Sequence, residues 1–152
     1  MDYCLGMSRV LISESTGAAV YVFSDDHCPP HVHARHRGEG WIARVRFSYI
    51  SSQIELMSIA PLKNSPLQRT VKHLLADLEA ALPLCRRSWW MTKRTACLTN
   101  QWAVLLASGQ IALLSEPLAN AKQIDDATYD PDEQRLRVVF QDGTTTEVRT
   151  AP

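Results

Sequence analysis

Residues 24–47 read SDDHCPPHVHARHRGEGWIARVRF, and the pairing of this stretch with itself sets the architecture around it. Over 41–47, Trp41, Ala43, Val45 and Phe47 alternate with Ile42, Arg44 and Arg46, the period of a strand with one buried face. The shorter run 31–36 sets His31, His33 and Arg35 on one face and Val32, Ala34 and His36 on the other. Arg37, Gly38, Glu39 and Gly40 join the two runs. If Val32 and Ala34 share a face with Trp41 and Ala43, paired positions must add to an odd number. The tight-loop solution pairs His36 with Trp41, His33 with Arg44 and His31 with Arg46. Pro29 and Pro30 cannot donate to a ladder, so they mark a rigid lead into the first strand.

On either side of this hairpin, residues 9–12, 18–23 and 53–59 are β-rich and complete an expected sheet of about five strands. The period then changes. Ser65, Pro66 and Gln68 supply an N-cap, a first-turn proline and a capping-box partner. Leu67, Val71, Leu74, Leu75, Leu78 and Leu82 come next at helical spacing, and Pro83 ends the run. A second helix is expected over 91–107, with the stripe Met91, Thr95, Leu98, Trp102 and Leu105 and with Gly109 as its C-cap. After Pro117, residues 123–129, 136–140 and 144–149 read as strands, the last two joined by the hairpin signal Asp142-Gly143. Three strands are marginal alone, so they must pack on the first part or on a second chain. The expected fold class is α+β. An antiparallel sheet of about five strands carries two helices on one face within residues 1–116, and an acidic three-stranded β-meander occupies 117–152.

The composition, 152 residues with 45% hydrophobic and 21% charged, is that of an ordinary globular domain and excludes disorder. The N-terminal stretch has no basic region followed by a long apolar run, so no secretory signal is expected. The most apolar stretch, 102–114, is interrupted by Ser108, Gly109 and Gln110, which leaves no membrane span. Cys4, Cys28, Cys85 and Cys97 form no CxxC pair, and reduced thiols in a cytoplasmic protein are expected.

The formal net charge is zero, but residues 1–115 hold 12 of the 16 basic residues and residues 116–152 hold 8 of the 16 acidic ones. The acidic end is a candidate cover for a basic face. No acid lies between Glu79 and Glu116, and there Arg86, Arg87, Lys93 and Arg94 flank Trp89 and Trp90. Interleaved basic and aromatic residues suit a phosphate backbone with stacked bases. The plainer alternative is a solvated helix end with the tryptophans as core anchors.

Four of the five histidines fall within 24–36. An HxH pair on one strand face chelates zinc when His27, Asp26 or Cys28 supplies a third ligand. Against this, Arg44 and Arg46 beside the imidazoles would repel a dication and attract a phosphate or carboxylate. On that view His31, His33, Arg35, Arg44 and Arg46 form an anion site. Two imidazoles are also the equipment of metal-independent RNA cleavage, with His31 and His33 as base and acid and Arg44 and Arg46 on the phosphate. A third possibility is structural, the histidines capping turns around the Pro-Pro corner. His73, alone on the leucine-rich helix, reads as a surface residue. No glycine-rich phosphate loop, GxSxG elbow or HExxH is present.

The string SDDHCPPHVHA, preceded by AAVYVF and followed by the strand 41–47, resembles the family catalogued as domain of unknown function 4160. CLTNQWAVLLASGQ is similar to that family's closing helix, so the resemblance spans roughly residues 9–116. LCRRSWWMTKR departs from it. The motif carries over onto Asp26, His27, Pro29, Pro30, His31 and His33. The tail IDDATYDPDEQRLRVVFQDGTTTEV resembles the opening strands of the domain-of-unknown-function 2442 family through its L-x-V-x-F-x-D-G pattern. The two resemblances imply a bacterial or mobile-element context and a toxin-antitoxin-like or defence-associated pair, without an established chemistry. The leading expectation is a non-enzymatic component, without cofactor, that binds RNA, DNA, a cognate protein or a second copy of itself. The alternatives are the ribonuclease and a zinc protein using His27, His31, His33 and Asp26.

Overall fold

A computed structural model describes residues 6–150. The chain forms two compact units, one built from the chain up to Ser48 together with Ser52–Arg94, the other from Tyr49–Ser51 and the chain from Thr95 onward. The fold is α+β, with two helices and two antiparallel five-stranded sheets.

The first sheet is a meander in chain order, β1 (Met7–Ile12), β2 (Ala19–Phe23), β3 (His31–His36), β4 (Trp41–Phe47) and β5 (Ile54–Ala60). The β3–β4 register is the expected one, with His36 opposite Trp41, His33 opposite Arg44 and His31 opposite Arg46. Parity decides it, because a one-residue slip would expose Val32, Ala34, Trp41, Ala43 and Val45, all of which are buried. Gly40 closes the hairpin at φ +72, where a Cβ would stand 3.0 Å from Asn64 Nδ2. Asn64 instead donates that amide to the Gly40 carbonyl.

Two helices pack on this sheet, α1 (Gln68–Ala80) against β5 and α2 (Leu82–Lys93) across β1, β2 and β3. Three helical expectations are corrected. The N-cap of α1 is Leu67, with no side-chain cap, so Ser65 and Gln68 make no capping box. Pro83 does not end a helix but sits in the first turn of α2, where its missing N–H costs no hydrogen bond. The second helix covers 82–93 and not 91–107; Arg94 stops it in the left-handed region at φ 56, its amide bonded to the Trp90 carbonyl.

Beyond Arg94 the regular structure is all strand. In the second unit β6 (Trp102–Leu105) and β7 (Ile111–Leu114) form a hairpin whose turn contains Gly109 at φ +85. Gly109 is therefore a hairpin glycine and not a helix cap. β8 (Lys122–Asp130), β9 (Arg135–Phe140) and β10 (Thr145–Arg149) complete the order β10-β9-β8-β6-β7. The acidic strands are thus three-fifths of a larger sheet, joined to it where β8 pairs with β6. Ile124, Leu136, Val138, Phe140 and Val148 form its buried face, and the Tyr49 ring meets Tyr129 edge-on at 4.8 Å. The division of the chain after Arg94 precedes the expected one at 116.

Neither Cys28 nor Cys97 is a free thiol, contrary to the expectation of reduced cysteines, and Cys85 is a buried free thiol. Burial pushes the Cys85 pKa up to about 12, which makes it unreactive. Among the described residues no helix is long and apolar enough to cross a membrane.

Candidate metal centre

The loop between β2 and β3 turns back on itself through Asp26. The Asp26 amide donates to the Phe23 carbonyl at 3.1 Å, and the Phe23 amide donates to Asp26 Oδ2 at 2.8 Å. This turn holds the carboxylate over the start of β3, where His31 and His33 share a face two residues apart. Asp26 Oδ1 lies 2.9 Å from His33 Nε2 and 3.5 Å from His31 Nε2. The side chains of Asp26, His31 and His33 are only 10%, 6% and 18% exposed.

The proton positions are constrained. His31 Nδ1 donates to the Pro29 carbonyl at 2.9 Å, and a carbonyl only accepts. A neutral His31 therefore carries its proton on Nδ1 and turns the lone pair of Nε2 toward the Asp26 carboxylate. The His31 ring is fixed by His33 at 5.1 Å and by Trp89 at 5.4 Å between centroids, and Phe23 meets the His33 ring edge-on at 4.7 Å.

One ligand atom from each of the three residues lies within 4.8 Å of the others. Donors that bind one ion at about 2.0–2.1 Å stand about 2.9 Å apart at a right angle and about 3.4 Å apart at the tetrahedral angle. The separations from Asp26 Oδ1 to the two imidazoles fall at these values, and an ion held by all three would need the imidazole nitrogens, within 4.8 Å of each other here, no more than about 4.1 Å apart. A backbone carbonyl on the distal nitrogen is the usual support for a ligating imidazole. Two imidazoles and a carboxylate suit zinc, iron(II) and their neighbours, and three protein ligands leave positions open.

Of the two arginines expected to repel a dication, Arg46 is paired with a carboxylate and Arg44, among the described residues, is not. Arg46 Nη2 donates to Glu55 Oε2 at 2.6 Å, so that charge is neutralised. Arg44 Nε donates to Ser58 Oγ at 3.0 Å, beside a β-bulge that leaves Met57 unpaired in β5. Arg35, two residues along β3 from His33, lines with it a cavity of about 100 Å³ together with Tyr21, Phe23 and Arg37. His27, expected as a ligand, is exposed and outside the triad; it lines a separate cleft together with Asp26, His31 and Arg44.

A histidine pair that cleaves a phosphodiester must present one accessible ring nitrogen on each side of the phosphate. Here both Nε2 atoms converge on one oxygen and His31 Nδ1 is held by Pro29, so acid–base cleavage is not what this geometry favours. Part of the structural alternative is present at His36, whose Nδ1 accepts the Glu39 amide and whose ring stacks on Trp41.

The basic and aromatic residues of α2 do not form one surface. Trp89 is fully buried and meets Phe47 edge-on, so it cannot stack a base. Arg86 is 2% exposed and donates from Nε to the Ser48 carbonyl, and Lys93 Nζ donates to the Ser24 carbonyl. Trp90 is half-buried, and only Arg87 and Arg94 of the group are exposed. His73 is exposed, as expected. Sequence reasoning missed the roles of Pro29 as second support and Glu55 as neutraliser. The same parity argument, carried one strand further, puts Glu55 on the sheet face of Arg46, while the six-residue connection and the bulge leave its exact partner to the tertiary structure.

Comparison with known proteins finds no matching family model, no similar curated protein and no similar solved structure.

Proposed function

We propose that this protein binds a divalent transition-metal ion, zinc foremost, through Asp26, His31 and His33. The observation that carries this reading is the approach of three largely buried donors to within 4.8 Å of one another, with the His31 lone pair held toward Asp26 by the Pro29 carbonyl. Of the four ligands expected from the sequence, the reading keeps Asp26, His31 and His33 and drops His27. Inductively coupled plasma mass spectrometry of full-length protein purified without a tag should find close to one equivalent of metal. Asp26→Asn and His33→Ala should each remove most of it with the circular dichroism unchanged. Metal-free protein that also fails to bind added zinc saturably by calorimetry would end the idea.

A second reading retains nucleic-acid binding, as part of the toxin-antitoxin-like context, but moves it to the open face of the first sheet. Arg35 and Arg37 have no hydrogen-bond or ion-pair partner among the described residues and stand beside Tyr21 and Phe23 around the same cavity. Aromatic rings with unpaired arginines on an open sheet suit single-stranded nucleic acid.

A further inference from the structure

Next to the triad lies a cleft of about 220 Å³, lined among others by Asp25, Asp26, His27, His31, Arg44 and Met57. Two of the three candidate ligand residues, Asp26 and His31, therefore line open space. Among the described residues Arg44 is the only arginine or lysine on its wall. Its one partner among them is the Ser58 hydroxyl, which takes Nε and fixes the stem. The bulge at Met57 interrupts the ladder at this point, and bulges characteristically re-aim neighbouring side chains. Unlike Arg46, Arg44 meets no carboxylate among the described residues, so the two Nη groups, which suit bidentate contact with an oxyanion, have no acceptor there.

We propose that this cleft takes a phosphate or phosphonate group that coordinates the bound ion through one oxygen and receives Arg44 on another, a proposal that rests on the metal reading above. The charges make it conditional. Asp25 and Asp26 outweigh Arg44 in the metal-free cleft, leaving one net negative charge, and a dication reverses the sign to one net positive. An oxyanion is therefore repelled by the apoprotein and attracted by the metal-loaded form. The volume is below the roughly 300–1,000 Å³ usual for a drug-sized ligand, so the cleft holds the anionic group with at most a small substituent, and a larger ligand would extend outside.

The test uses full-length protein loaded with Co²⁺, whose visible spectrum reports its coordination, titrated with methylphosphonate and, for comparison, acetate. Wild type should change its Co²⁺ spectrum saturably with methylphosphonate, and more weakly with acetate. Arg44→Gln should weaken methylphosphonate at least tenfold while holding Co²⁺ as tightly as wild type or more so, since a nearby positive charge is removed. Apoprotein should not bind methylphosphonate by calorimetry. A Co²⁺ site that forms but is blind to methylphosphonate, or one that responds equally in Arg44→Gln, would overturn this proposal alone. A spectrum that stays that of aqueous Co²⁺ in the wild type would overturn the metal reading together with it.

Discussion

His33 Nε2 lies 2.9 Å from Oδ1 of Asp26, a residue seven positions earlier on the far side of the Pro-Pro corner. The same oxygen faces His31 Nε2, which carries no proton when the ring is neutral and its Nδ1 is bonded to Pro29. An oxygen anion against a nitrogen lone pair is unfavourable, and a proton or a metal ion between them relieves it.

Zinc should therefore stabilise the protein. At a free concentration of about 100 times Kd the gain for one site on the folded state alone is about 2.7 kcal/mol. Thermal unfolding followed by circular dichroism should shift upward with zinc in wild type and stay in place in Asp26→Asn; equal shifts would place the zinc elsewhere.

Asp77 on α1 gathers the β1–β2 turn. Burial pushes its carboxyl up, but hydrogen bonds from the Ser15 and Ser13 hydroxyls and the Ser15 amide outweigh this and hold it below its ordinary value. A carboxyl with a depressed folded pKa contributes fully above its unfolded value, about 3.9, and loses that contribution as pH falls through the folded value. Urea midpoints should fall in wild type below about pH 4, and the fall should be shallower in Asp77→Asn. Parallel profiles would refute the assignment.

Trp89 is an anchor, packed against His31 and Phe47 with no exposed surface. Trp89→Ala should cost about 3–5 kcal/mol in urea unfolding, the usual penalty for deleting a buried aromatic. A loss below about 1 kcal/mol, the range of surface changes, would restore Trp89 as a candidate stacking surface.

If the open face of the first sheet binds nucleic acid, Arg35→Glu with Arg37→Glu should weaken single-stranded RNA and flatten the salt dependence. Each lost phosphate contact on a single strand lowers the slope of log K against log salt by about 0.7. Fluorescence anisotropy at several salt concentrations measures it, and an unchanged slope would rule out this face.

How far the sequence can be read differs from place to place. The β3–β4 register is legible because side-chain parity and a four-residue loop leave one solution that buries Val32, Ala34, Trp41 and Ala43 together. The hairpin at Asp142-Gly143 is legible because Gly143, at φ +85, adopts a conformation few other residues tolerate. Trp102–Leu105 falls in the run read as helix and folds as a strand paired with Ile111–Leu114, because short apolar runs carry no period that separates a buried strand from a helical turn. Ser108-Gly109 between them is the turn signal that distinguishes the two.

That His31 and His33 share a strand face, and which β4 residues lie opposite them, is written in the chain itself, since alternation along an extended backbone is local geometry. What the pair can do depends on packing. The Asp26 carboxylate reaches both rings through a backbone turn at Phe23, Glu55 removes the charge of Arg46, and α2 closes over His31 with Trp89. The last two are contacts through space between separate elements, and no local spacing encodes them.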